Sequence, residues 1–187
     1  QGVTSAVDLT KTVPAISMPS AGGSITSIFI RGVGNVTSSS YNDPAVTPSY
    51  DGVVLGRGGG VFGTAFYDLQ RVEVLKGPQG ILYGRNATGG AVNIIPARPE
   101  LGRTGMGFNL GYGNFNALSG DAYINFATGD NSALRIAGSY LEHDGYNKDG
   151  TDDAKRAGVR AQFLIEPTDD VSVRIGGDYT HIGGKGI

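Results

Sequence analysis

Apolar and polar side chains alternate along most of the second half of the chain. Met106, Phe108, Leu110 and Tyr112 alternate with Gly107, Asn109, Gly111 and Gly113. Leu118, Ala122, Ile124 and Phe126 alternate with Ser119, Asp121, Tyr123 and Asn125. Leu134, Ile136 and Tyr140 then alternate with Ala133, Arg135, Ala137 and Ser139. Ala157, Val159, Ala161, Phe163 and Ile165 alternate with Arg156, Arg160 and Gln162, and Val171, Val173, Ile175 and Tyr179 with Ser172, Arg174 and Asp178. A period of two is that of a strand with unlike faces. Turn-forming residues at 114–116, 128–131, 143–153 and 167–170 separate the runs. The pattern predicts about five antiparallel strands of roughly ten residues. A soluble β-sandwich and a transmembrane β-barrel both satisfy it, since each has one apolar face.

The first half has a different texture. Residues 2–13 predict a short helix, capped by Ser5, with Ala6, Leu9 and Val13 near one face and Pro14 as its stop. Ser24 to Gly32 predicts a strand carrying Ile25, Ile28, Phe29 and Ile30, with Arg31 at its end. Gly34 to Ser49 is polar and predicts a loop, in which Tyr41 is able to stack and to donate a hydrogen bond. Asp51 to Leu55 predicts a strand and Gly56 to Gly63 a second loop. Two β-branched runs, Arg71–Leu75 and Ala91–Ile95, flank a centre holding Gly77-Pro78, Gly80, Gly84 and Gly89-Gly90. That is a tightly turned β unit. Pro96 cannot donate to a ladder and should end the strand, leaving Ala97–Glu100 as a linker. The fold class is therefore mainly β: an α+β globular domain over residues 1–100, then antiparallel strands over 101–187.

Composition narrows the chemistry. The chain of 187 residues has 32 Gly, no Cys and two His, and a net charge of −2. Without Cys there is no disulfide framework, thiolate metal site or Cys nucleophile. The charge gives no electrostatic case for nucleic acid. His143 and His181 sit near strand ends, and Asn147–Asp153 misses the EF-hand spacing, so no metal site is expected. Gly58-x-Gly60-x-x-Gly63 matches a dinucleotide fingerprint as a string, but no βαβ unit surrounds it. No catalytic set stands out, and neither an enzyme nor a cofactor is expected. No apolar run approaches the roughly 20 residues of a spanning helix, and a barrel would leave none. The first residue, Gln1, and the Gly-rich tail lead to the expectation of a piece of a longer protein.

The segment Gln70-Arg-Val-Glu-Val-Leu-Lys-Gly-Pro-Gln-Gly through Gly89-Gly-Ala-Val-Asn-Ile-Ile95 closely resembles the end of the plug domain of TonB-dependent outer-membrane receptors. Ile28-Phe-Ile-Arg-Gly-Val-Gly34 resembles that family's Ile-Arg-Gly segment, and Tyr50-Asp-Gly-Val-Val54 its Asp-Gly-Val strand start. The three occur in the family's order. The resemblance turns the alternating half into the first strands of an outer-membrane barrel, with its apolar side to lipid. Asp121, Arg135, Arg156, Arg160, Arg174 and Asp178 then line a wet lumen. The family's barrel of about 22 strands places most of the wall beyond Ile187. If the plug feeds the first strand from the periplasm, the longest connection, 143–153, falls outside the cell.

The resemblance also implies a function: energy-coupled uptake of a scarce large solute such as a ferric siderophore, cobalamin or a glycan. The partners it implies are the inner-membrane TonB complex, acting through an N-terminal box that is missing here, the extracellular solute and outer-membrane lipid. Arg31 and Arg71 become candidates for a lock between plug and barrel wall, against the plainer reading of Arg31 as a strand-end cation reaching solvent. Asn35, Tyr41, Arg57 and Phe62, on the two loops that reach the plug's outer apex, become candidate ligand contacts, against the plainer reading of surface loops. A soluble β-sandwich binding module or adhesin is the alternative.

Overall fold

A computed structural model describes residues 6–19, 27–35, 44–55, 66–80 and 87–185. These fall into two compact units, 1–96 and 97–187.

The first unit opens with helix α1, Ala6–Thr12. Leu9 is buried, the Val13 amide donates to the Leu9 carbonyl (2.8 Å), and Pro14 follows where the helix stops. Three two-residue strands come next: β1 (Ile16–Ser17), β2 (Phe29–Ile30) and β3 (Val33–Gly34), forming a small antiparallel sheet in that order. A second sheet has the order β5-β4-β7-β6, built from β4 (Val46–Tyr50), β5 (Val53–Val54), β6 (Leu69–Lys76) and β7 (Gly90–Pro96). β4 runs parallel to β7, whereas β6 pairs antiparallel to it. Every residue of β7 is buried, as befits an apolar strand with a neighbour on each side. Its Val92 and Ile94 join Leu9, Ile16, Met18, Ile28, Ile30, Val46 and Phe66 in one core, which spans the helix and both sheets.

Three expectations change here. The predicted loop 34–49 contains β4, whose first four residues are fully buried. Thr47, Pro48 and Ser49 gave it a loop-like composition, yet Pro48 lies inside a strand. Its carbonyl accepts from the Leu55 amide (2.8 Å), so its missing donor falls on the side of the very short β5 and not on the β7 ladder. The predicted strand 51–55 is instead a hairpin turn followed by β5: Asp51 and Gly52 both have positive φ, 49° and 82°. Arg31 does not end a long strand. Arg31 and Gly32 have φ of 52° and 79°, and Ile30 pairs with Val33. Both pairs are therefore two-residue turns with two left-handed positions, the geometry that follows the twist of a hairpin. The remaining part of the strand predicted from Ser24, up to 26, lies outside the described residues.

Gly90 explains the double glycine. Its φ is 142°, and a Cβ there would run into the Leu75 carbonyl oxygen and come within 2.9 Å of Ile30 Cδ1. The start of β7 thus admits no side chain where β2 and β6 close on it.

The second unit is one antiparallel meander in sequence order: β8 (Gly105–Gly113), β9 (Ala117–Gly129), β10 (Ser132–His143), β11 (Ala154–Thr168) and β12 (Val171–Gly183). Its registers carry the apolar pattern across all five strands. Met106 pairs with Ile124, Ile124 with Ile136, and Ile136 with Ala161. Phe126 pairs with Leu134, Leu134 with Phe163, and Phe163 with Ile175. Large apolar side chains on this face stay exposed, Met106, Phe108, Leu110 and Tyr112 among them. The sheet therefore has a continuous apolar face that the described residues leave uncovered.

Candidate functional site

The first unit presents its candidate site residues on turns and one strand. Arg31 stands at the first position of the β2–β3 turn and is exposed; its amide is held by the Ala15 carbonyl at 2.8 Å. A non-glycine residue at positive φ costs roughly 1–2 kcal/mol relative to the right-handed region. Asn35 follows β3 and is half-buried. Tyr41, Arg57 and Phe62 lie outside the described residues.

Arg71 sits on β6, and its guanidinium Nε donates to Glu73 Oε1 at 2.8 Å. Residues two apart on a strand share a face, so the pair follows from the spacing alone. The other Glu73 oxygen accepts from Asn93 Nδ2 at 3.3 Å. Asn93 Oδ1 accepts in turn from Ser49 Oγ (3.0 Å) and the Gly52 amide (3.3 Å). The amide orientation of Asn93 is forced by these partners. Gly52 N–H only donates and an ionised carboxylate only accepts, so the oxygen must face Gly52 and the nitrogen Glu73. The Arg71 guanidinium beside Glu73, with the Asn93 amide second, holds its carboxyl below the usual carboxylate range. One polar chain thus crosses β6, β7 and β4 and ends at the Asp51–Gly52 turn. Sequence reading passed over Ser49, Glu73 and Asn93. A lone Asn inside Ala91-Val-Asn-Ile-Ile95 was the available signal, because a polar side chain in a buried strand needs partners.

In the second unit the registers put Asp121, Arg135, Arg156, Arg160, Arg174 and Asp178 on one face, opposite the apolar one. Arg160 is 1 % exposed, and its Nε donates to Asp178 Oδ1 at 2.7 Å on the next strand. Arg174 Nη1 donates to Gln162 Oε1 (3.1 Å), and the Arg135 guanidinium lies 4.1 Å from the centre of the Tyr123 ring. Segment 97–103 crosses this same polar face. Gln162 Nε2 donates to the Ala97 carbonyl (2.9 Å), Asn125 Oδ1 accepts from the Glu100 amide (2.9 Å), and Asn125 Nδ2 donates to the Glu100 and Arg103 carbonyls (2.9 and 2.6 Å). The chain therefore enters the sheet over its charged side.

The two ends of the sheet differ as well. Turns at 130–131 and 169–170 are two residues long and each is accompanied by a register shift, the second next to Pro167. At the other end the 114–116 and 144–153 connections are tied together. The Asp144 amide donates to the Phe115 carbonyl (2.8 Å), Asn116 Nδ2 to Asp144 Oδ2 (2.5 Å), and the Tyr146 ring meets Phe115 edge-on and stacks on His143. Among the described residues no cluster of His, Cys, Asp or Glu is arranged to hold a metal ion.

Residues 1–91 match the TonB-dependent Receptor Plug Domain family. Those residues form a plug domain of the TonB-dependent receptor family. The pesticin receptor of Yersinia enterocolitica is 37% identical over 100 residues, which is 53% of this chain and 14% of that receptor. The ferric yersiniabactin uptake receptor of Yersinia pestis superposes with a TM-score of 0.76 at 25% identity, over 96% of this chain and 29% of that one. The ferric-catecholate import receptor of E. coli K12 gives 0.68 at 27% identity, over 88% of this chain and 22% of that one. The chain thus spans a small part of its relatives' length. Its second unit supplies strands of the outer-membrane barrel, which five strands do not close. The family's home is the outer membrane of Gram-negative bacteria. The matched proteins are receptors, not enzymes.

Proposed function

We propose that the protein to which this chain belongs takes up a scarce large solute across the outer membrane, with residues 1–100 as plug and 101–187 as the first barrel strands. The observation that carries this reading is the pairing of a plug-family segment with a meander whose faces are sorted across every register: apolar on one side, charged and crossed by the incoming chain on the other. An uncovered apolar face suits hydrocarbon, and a face of Arg and Asp suits a wet lumen. Relatives named for ferric yersiniabactin and ferric catecholates favour a ferric siderophore as the solute over cobalamin or a glycan.

Solute is met at the outer apex of the plug by Asn35, Tyr41, Arg57 and Phe62, on the two loops after the Ile-Arg-Gly and Asp-Gly-Val segments. The inner-membrane TonB complex supplies the work by pulling on a segment N-terminal to Gln1. Arg31 and Arg71 lock the plug to carboxylates of the wall. An Arg kept at a left-handed turn position, where Gly or Asn is easier, supports a role for the Arg31 side chain beyond the turn itself. Uptake of radiolabelled ferric siderophores by cells carrying or lacking the gene, grown under iron limitation, tests the reading. Loss of uptake of one siderophore class on deletion is the expected result. Unchanged uptake of every ferric siderophore, with a deficit for cobalamin or a glycan, would move the solute class.

A further inference from the structure

The Arg71–Glu73 pair bears on how the plug lets go. We propose that Glu73 is a resident counter-charge for Arg71, pinned on the plug by Asn93, so that Arg71 can leave a wall carboxylate without being left unpaired. The inference rests on the lock reading of Arg71 given above.

The geometry supplies each part. Arg71 Nε donates to Glu73 Oε1 at 2.8 Å, so the plug alone already offers the guanidinium a carboxylate. An arginine has five N–H donors, and one bond through Nε leaves the Nη groups for a second, bidentate partner. Glu73 is not free to follow Arg71 away. Its Oε2 is held at 3.3 Å by Asn93 Nδ2, and Asn93 is 7% exposed with its oxygen fixed by Ser49 and Gly52. A side chain with long rotamer freedom is thereby kept in one place by a buried amide on the central strand. Among the described residues the Arg71 side chain is 52% exposed and that of Glu73 38%. The cost of breaking the lock therefore arises where the wall covers Arg71 and a guanidinium that loses its partner is stranded away from water. A carboxylate waiting on the same strand removes that cost and makes the lock an exchange of partners between two states.

The prediction has a sign that a purely structural role would not give. In Glu73→Gln a single amide oxygen remains for two donors, Arg71 Nε and Asn93 Nδ2, and the resident charge is gone, so the wall carboxylate becomes the better partner for Arg71. The lock is then harder to leave. If Glu73 only held the sheet together, the same substitution would loosen the plug. The full-length receptor and its variants are placed in planar bilayers, and the rate of channel opening is read as K⁺ current at a fixed urea concentration. Arg71→Ala is expected to open several-fold faster than wild type, Glu73→Gln several-fold slower, and Glu73→Gln to have no further effect in the Arg71→Ala background. Opening of Arg71→Ala at the wild-type rate would defeat the lock reading. With Arg71→Ala fast, Glu73→Gln opening at or above the wild-type rate would defeat the counter-charge, as would slow opening that persists in the double variant.

Discussion

Replacing Asn93 by Asp keeps the acceptor for Ser49 and Gly52 but turns the donor facing Glu73 into a second carboxylate oxygen. The original nitrogen and Glu73 Oε2 are 3.3 Å apart. Two unit charges near 4 Å interact by about 4 kcal/mol at an effective dielectric of 20. The Glu73 side chain is 38% exposed and has Arg71 on its other oxygen. Screening by water and by that cation reduces the penalty to about 1–3 kcal/mol. The repulsion raises the folded-state pKa of the new pair above its unfolded value, so the destabilisation is full near neutral pH and shrinks as pH falls through the raised value. The wild-type protein behaves oppositely: Glu73 is held low, so its contribution is complete above the usual carboxylate range and is lost only as pH falls through the lowered value. Amide hydrogen exchange of β7 in the full-length receptor, compared with wild type at pH 7 and pH 5, reads the effect. Adding Glu73→Gln restores a donor opposite the new carboxylate and should recover protection. Wild-type protection at pH 7, or a deficit that does not shrink at pH 5, would refute the network's geometry.

Gly90→Ala should be among the worst substitutions in the plug, since it adds a strained φ to a collision with the Leu75 carbonyl; failure of the full-length variant to reach the outer membrane in envelope fractions checks it. Arg31→Gly removes the side chain while easing the turn, so any gain in channel leak or plug proteolysis reports the lock alone; if its partner is buried, the loss is about 3–5 kcal/mol. Ile136→Lys places a charge on the apolar face, one register step from Ile124, and should cost about 2–4 kcal/mol of barrel stability in lipid. Ser139→Lys, on the opposite face of the same strand, should cost far less, and folding equilibria in lipid vesicles separate the two. In the 144–153 connection, Thr151 donates to Asp149 through its hydroxyl and its amide and holds that carboxyl below its ordinary value. Thr151→Val should move the Asp149 titration upward, as read by carboxyl chemical shifts.

The meander was legible because a period of two, sustained between turn residues, leaves little choice of face. The registers that align Phe126, Leu134, Phe163 and Ile175 reproduce the sorting read from the sequence. The plug half was harder for identifiable reasons. β4 was hidden by Thr47, Pro48 and Ser49, residues that suit a loop until buried partners are known. Asp51-Gly52 and Arg31-Gly32 read as strand start and strand end, although Asp-Gly between apolar residues is a strong hairpin signal. The Arg71–Glu73 contact was available from i,i+2 spacing. Its continuation through Asn93 to Ser49 was not, because it joins residues 44 positions apart across a parallel pair that no local pattern specifies.

The face assignment of the meander is the claim on which the rest depends. Single cysteines at Ile124 and Ile136 on one face, and at Asp121 and Ser139 on the other, can be spin-labelled in the full-length receptor reconstituted in lipid bilayers. Collision rates with oxygen, which concentrates in hydrocarbon, and with a water-soluble nickel chelate then report each site's surroundings. High oxygen and low nickel access at 124 and 136, reversed at 121 and 139, is the expected outcome. Nickel access at all four positions would place both faces in water and contradict the barrel account.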